Sequence, residues 1–313
     1  IYVTGITSGG LDGYTNLGEE DFFLVKYNSS GTKQWTRQHG TSASDIAHGV
    51  AVDSSNNIYV TGETRGGLDN NTNSGNKDIF LVKYDSSGTR EWTQQLGTSS
   101  EDAGYAITVL SNNIYVTGTT FGGLDNYTNS FGSSDIFLTK YSSSGAKQFT
   151  NQFGTSSEDV AYGITGISSN IYLTGYTKGN LNGEANNGNS DIFLLKHYDN
   201  ETYLSTILLG TSSAEVGRSI TVDSSNNIYL TGDNSSTSGD YDAFLAKYSR
   251  SNPSSPTWIR YMSTSSGEYG YGVATFTNTY IYAVGNTGGE IDNNTNSGLQ
   301  DVFIFKYNSS GTK

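Results

Sequence analysis

The 313-residue sequence contains no cysteine, two prolines, one methionine and three histidines. Without cysteine there are no disulfide staples, no thiolate metal ligands and no cysteine nucleophile. The histidines, His39, His48 and His197, do not recur at one position, so a histidine-rich metal centre is not expected. Charge is also sparse, at 15% of residues, and its basic half is the smaller: 17 Lys and Arg against 30 Asp and Glu, for a net charge of −13. A binder of nucleic acid or anionic lipid needs a basic face, so both classes are excluded as expectations. No apolar run reaches the roughly 18 residues of a membrane-spanning helix. The first residue is Ile1 rather than Met, so a processed or excerpted chain is expected.

What is abundant is glycine (39), tyrosine (23) and phenylalanine (13), and these recur with a period. The phrase Ile-Tyr-x-x-Gly begins at residues 1, 58, 114, 171, 228 and 281. Asp-x-Phe-x-x-Lys follows each copy, at Asp21, Asp78, Asp135, Asp191, Asp242 and Asp301. Gly-Thr-Ser falls at Gly40, Gly97, Gly154 and Gly210, with a degenerate copy near Ser263. Each period reads as four short strands, A to D, rich in β-branched and aromatic residues. Asx- and Gly-rich turns separate them, and no stretch has capped helical periodicity.

Four antiparallel strands repeated at this period predict an all-β fold, a β-propeller of four-stranded blades. Six blades are expected, with seven as the alternative. Residues 1–313 are read as one domain that begins and ends mid-blade. A six-fold ring lacks the equivalents of residues 34 to 57, so an excerpt of a longer array, or ends supplied by a partner, is expected. The recurring Phe80 and its equivalents read as core, and Trp35, Trp92 and Trp258 as packing between sheets.

The phrases Gly49-Val50-Ala51-Val52-Asp53, Asn57 to Thr64 and Asp78 to Tyr84 resemble the bacterial β-propeller repeat family called SBBP. That resemblance covers essentially the whole chain. It implies a propeller in a secreted, lipid-anchored or surface protein, and it carries over no catalytic residue.

Three recurring features supply candidate sites. Long B–C loops place oxygens at intervals before a final carboxylate, as calcium loops do. The metal-site expectation is Asp69, Asn71, Asn73 and Asp78, repeated at Asp292, Asn294, Asn296 and Asp301, and in part at Asp12, Asn16, Asp21 and at Asp125, Asn129, Asp135. Asx turns without metal explain the same residues. Second, Asp45, Asp102, Asp159, Glu215 and Glu268 open each strand A and are expected near a channel mouth, where their field would hold a cationic group. Capping of backbone amides is the competing explanation. Third, His48, Tyr105, Tyr162, Arg218 and Tyr271 follow three residues later and vary where the strand is otherwise regular. Aromatic faces and hydroxyls there could take sugars.

No nucleophile with base and orienter assembles. The expected function is a non-enzymatic extracellular or cell-surface module for multivalent binding of a glycan or a protein, with Ca²⁺ ordering the B–C loops. The alternatives are a structural repeat unit contacting neighbouring copies and, third, a glycan-active hydrolase or lyase.

Overall fold

A computed structural model describes residues 1–127, 133–235, 240–250 and 252–313. The strands form six antiparallel sheets, three in each of two compact units, Ile1–Gly154 and Thr155–Lys313. In the first unit, blade 1 is β1 (Tyr2–Thr7), β2 (Asp21–Tyr27) and β3 (Lys33–His39). Blade 2 is β4 (Asp45–Val52), β5 (Ile58–Thr64), β6 (Asp78–Tyr84) and β7 (Arg90–Leu96). Blade 3 is β8 (Asp102–Leu110), β9 (Asn113–Thr120), β10 (Asp135–Ser142) and β11 (Lys147–Phe153). In the second unit, blade 4 is β12 (Asp159–Ile167), β13 (Asn170–Thr177), β14 (Asp191–Tyr198) and β15 (Tyr203–Leu209). Blade 5 is β16 (Glu215–Val222), β17 (Asn227–Ser235), β18 (Tyr241–Ser249) and β19 (Asn252–Met262). Blade 6 is β20 (Glu268–Phe276), β21 (Tyr280–Thr287) and β22 (Asp301–Asn308). Every strand pairs with its sequence neighbour within the blade, so the fold class is the all-β propeller with six blades, the first and last holding three strands each. Among the described residues, helix is confined to one-turn 3₁₀ segments, such as Leu68–Asn70 in a B–C loop.

The repeated phrases have local physical reasons. The phrase glycine on the second strand pairs in register with the recurring phenylalanine, as Gly62 does with Phe80 and Gly118 with Phe137. A Cβ at Gly62 would lie 2.8 Å from the Phe80 ring and 1.9 Å from the Ile46 carbonyl oxygen, so only glycine admits the buried ring. The threonine before it donates its hydroxyl proton to the phenylalanine carbonyl: Thr61 to Phe80 at 2.8 Å, Thr174 to Phe193 at 2.9 Å. Phe80, Phe137 and Phe193 are fully buried, as the core reading expected.

Neighbouring blades within a unit are joined by a second recurring set. Lys26 donates to the Ser86 carbonyl and Lys83 to the Ser143 carbonyl, and Lys247 donates to the Ser309 carbonyl, at 3.0, 3.3 and 3.0 Å. In each case the acceptor sits on the C–D hairpin of the following blade. Trp35 lies under Gly88 of that hairpin and Trp258 under Gly311. The tryptophans therefore pack between blades.

Candidate functional site

The B–C loops spread their oxygens over separate partners. Asp12, Asp69, Asp125 and Asp292 all adopt left-handed backbone conformations, with φ between 49° and 53°, which Asp tolerates better than most residues. Their carboxylates meet the last strand of the blade or its hairpin. Asp12 accepts from Lys33 at 2.6 Å, Asp69 from Arg90 at 2.7 Å, Asp125 from Lys147, and Asp292 from Lys313. Thr36 and Thr93 hydroxyls also donate to Asp12 and Asp69. The loop asparagines turn amide donors inward. Asn16 and Asn73 donate to the carbonyls of Gly18 and Gly75, Asn71 donates to that of Leu68, Asn294 to that of Ile291, and Asn296 to that of Thr287. The final carboxylates cap the loop: Asp21, Asp78 and Asp301 accept from the amides of Leu17, Ser74 and Ser297. Asp21, Asp78 and Asp135 also accept from Gln38, Gln95 and Gln152. Asn129 lies outside the described residues. The bonded carboxylate oxygens accept from lysine, arginine, threonine, glutamine and backbone amides, whereas Asn16 Oδ1, Asp21 Oδ1, Asn73 Oδ1 and Asp78 Oδ1 are buried without a hydrogen-bond partner among the described residues. Among the described residues, no three or more His, Cys, Asp or Glu group together; calcium sites also draw on Asn and backbone oxygens.

The acids opening the first strand of each blade are hydrogen-bonded within the fold. Asp45, Asp102, Asp159, Glu215 and Glu268 are all buried, at most 3% exposed. Each accepts the backbone N–H and the hydroxyl of the threonine four residues earlier; for Asp102 these bonds from Thr98 are 2.6 and 2.8 Å. Thr64, Thr120 and Thr287 bind Asp45, Asp102 and Glu268 from the second strand. Burial pushes the carboxyls of Asp45, Asp102 and Glu215 above the usual range, against these hydrogen bonds. These five carboxylates close the four Gly-Thr-Ser turns and their degenerate Ser-Thr-Ser copy, the arrangement that backbone capping predicts. The turn glycine is required as well, because a Cβ at Gly97 would lie 2.0 Å from Asp78 Oδ1.

The third feature is the one the backbone presents. In all five first strands the pairing register slips at the variable residue: His48, Tyr105, Tyr162, Arg218 and Tyr271 are each the extra residue of a β-bulge. A bulge re-aims one side chain while the flanking pairs stay in register. In the first unit, the His48 ring packs edge-on to Tyr105 at 5.1 Å between centroids. Glu63 stands 4.0 Å from His48 and 3.0 Å from Lys77, and Lys77 also approaches Glu101 at 3.9 Å. Burial works against the Glu63 charge, but His48 and Lys77 outweigh it and hold the carboxyl below its usual range.

In the second unit, the Arg218 guanidinium lies 5.9 Å from the Tyr162 ring and 5.2 Å from the Tyr271 ring. Its Nε and Nη2 donate to Asp233, which is 1% exposed. Tyr162 and Tyr176 lie 6.1 Å apart, Tyr241 and Tyr269 5.5 Å apart, and Tyr269 stacks on Tyr271. A cavity of about 540 Å³ opens here, lined by Tyr162, Tyr176, Tyr241, Arg218 and Lys178 among others. That volume is within the range of small-molecule sites.

The partner positions Glu63, Tyr176 and Asp233 were missed in the sequence. All three follow the glycine of the Ile-Tyr-x-x-Gly phrase, where the copies read Ile6, Glu63, Thr119, Tyr176, Asp233 and Asn286. Variability at that position, weighed as it was for the first strand, is the signal that would have found them.

Comparison with known proteins adds the lineage. The model of the SBBP β-propeller repeat matches residues 34–69 and 206–241. The regulatory protein FlaEY of Caulobacter vibrioides is 27% identical over 132 residues, 38% of this chain and 14% of that protein. An uncharacterized WD repeat-containing protein of Acanthamoeba polyphaga mimivirus is 29% identical over 142 residues, 40% of this chain and 10% of that protein. The matched region is thus a small part of either relative. Among solved structures, a putative 6-phosphogluconolactonase from Bacteroides uniformis aligns over 99% of this chain and 80% of its own, with a TM-score of 0.56 at 11% identity. One from Bacteroides fragilis gives the same coverages, with a TM-score of 0.52 at 14% identity. At such identities the likeness concerns the fold. By its blades this chain is a β-propeller repeat protein, and two of its stretches match the SBBP repeat.

Proposed function

We propose that the chain is a non-enzymatic binding module, outside the cell or on its surface, that takes a saccharide on the bulged residues of its first strands. The observation that carries this reading is the coincidence of variability with the bulge. Five otherwise stereotyped strands each re-aim one residue, and those residues are His, Tyr, Tyr, Arg and Tyr. Aromatic faces bury the C–H face of a sugar ring while neighbouring polar groups fix its hydroxyls. Such contacts, presented separately by each unit, add through effective concentration when the ligand is a polymer.

The test is a glycan array probed with the chain and with Tyr162→Ala and Tyr271→Ala. Glycan binding that both substitutions weaken is the expected result. An array on which the wild-type chain binds nothing overturns the reading.

A further inference from the structure

The cavity of the second unit presents two cations at its wall, in a molecule that is acidic overall. The chain carries −13 overall. Among the described residues, the cavity is lined by two cations, Arg218 and Lys178, and by no carboxylate. Both cations are paired with acids that are not among the lining residues: Arg218 with buried Asp233, and Lys178 with Glu158, which also bonds Tyr176. Asp233 takes the Nε and Nη2 of Arg218, and Nη1 makes no hydrogen bond among the described residues. The guanidinium is thereby oriented with donors to spare. Tyr162, Tyr176 and Tyr241 supply the apolar walls, and Asn189 adds an amide to the polar lining.

Resting on the binding reading above, we propose that this cavity selects a saccharide carrying a carboxylate, a uronate unit, in preference to its neutral counterpart. The tyrosine rings would hold the pyranose face, and the forked guanidinium donors of Arg218 would recognise the carboxylate with Lys178 beside them.

The experiment is calorimetric titration of the intact chain with digalacturonic acid and with its dimethyl ester. The acid is expected to bind about tenfold more tightly than the ester, the factor a charge-assisted hydrogen bond confers. Lys178→Gln, at an exposed position, should remove most of that preference, read as the ratio of acid to ester affinity. Arg218→Gln alone would strand buried Asp233, so Arg218→Gln with Asp233→Asn is the companion variant, and it should do the same. Equal binding of acid and ester overturns the charge selectivity while leaving the binding module standing. Acid binding that both variants leave unchanged overturns the site. Failure of both probes, on a chain that does bind neutral glycans on the array, overturns the uronate proposal alone.

Discussion

Blades 2 and 5 share a scaffold and differ at the face it presents. In both, a buried acid opens the first strand and is clasped by the threonine four residues before it: Asp45 by Thr41, Glu215 by Thr211. In both, the bulge falls three residues later. Blade 2 then offers His48, with Glu63 opposite and Lys77 beyond. Blade 5 offers Arg218, with Asp233 opposite and tyrosine rings on two sides. The constancy belongs to groups that must satisfy buried backbone, and the variety to groups the backbone merely aims. Repetition and function are thereby separated within a single strand.

The largest test of this contrast removes a partner. Arg218→Ala leaves the Asp233 carboxylate buried and unpaired, and should cost about 3 kcal/mol or more in urea unfolding. His48→Ala in blade 2 should cost much less, because Glu63 retains Lys77. Removing Asp233 together with Arg218 should restore much of the loss. Equal losses for Arg218→Ala and His48→Ala would break the contrast.

A smaller effect probes the shared scaffold. Thr98→Val and Thr211→Val each delete a hydroxyl bonded to a buried carboxylate. Each should lower stability by roughly 1.5–3 kcal/mol, and by similar amounts in the two units. Values that diverge widely would mean that the turn is not equivalent between blades.

The acid limb sharpens the comparison further. Glu63 has its carboxyl held down, so its stabilising contribution is present above its unfolded pKa and is lost as pH falls through the folded value. Asp45, Asp102 and Glu215 have theirs pushed up, so each favours the folded state most at low pH and loses that contribution as pH rises through the folded value. Glu63→Gln should therefore flatten the acid limb of a melting-temperature profile by an amount worth roughly 1 kcal/mol. Asp102→Asn should remove part of the decline on the other side. A Glu63→Gln profile parallel to wild type would contradict the assignment.

The smallest expected effect concerns the loops. Asp69→Ala breaks the pair with Arg90 and the bond from Thr93, worth about 1 kcal/mol at this exposure. The loss should be the same with millimolar Ca²⁺ as with EDTA. A calcium-specific melting shift abolished by Asp69→Ala would restore the calcium-loop reading.

The fold was legible because the period is short and its words recur. Ile-Tyr-x-x-Gly and Asp-x-Phe-x-x-Lys mark strands whose pairing is local, and Gly62 opposite Phe80 repeats one packing solution in blade after blade. The site was legible only in part. Tyr162 and Arg218 stood out because they varied. Tyr176 and Asp233 did not, because they follow a constant glycine that drew attention to the core. For the loop and turn acids, spacing gives the order of oxygens along a chain, and it does not say that Lys33 or Thr41 will come from another strand or turn to meet them. A bulge is likewise invisible in composition, since it is a count of two residues against one across a pair.

The lysine that reaches forward to the next hairpin has a genealogical consequence. Because Lys26 meets Ser86 as Lys83 meets Ser143 and Lys247 meets Ser309, these three seams are cut to one template. Unequal crossing-over that gains or deletes a whole module would re-create the same seam with a different neighbour. Lineages of this chain can therefore change copy number without inventing a joint, and can shuffle bulge residues among modules as interchangeable cassettes.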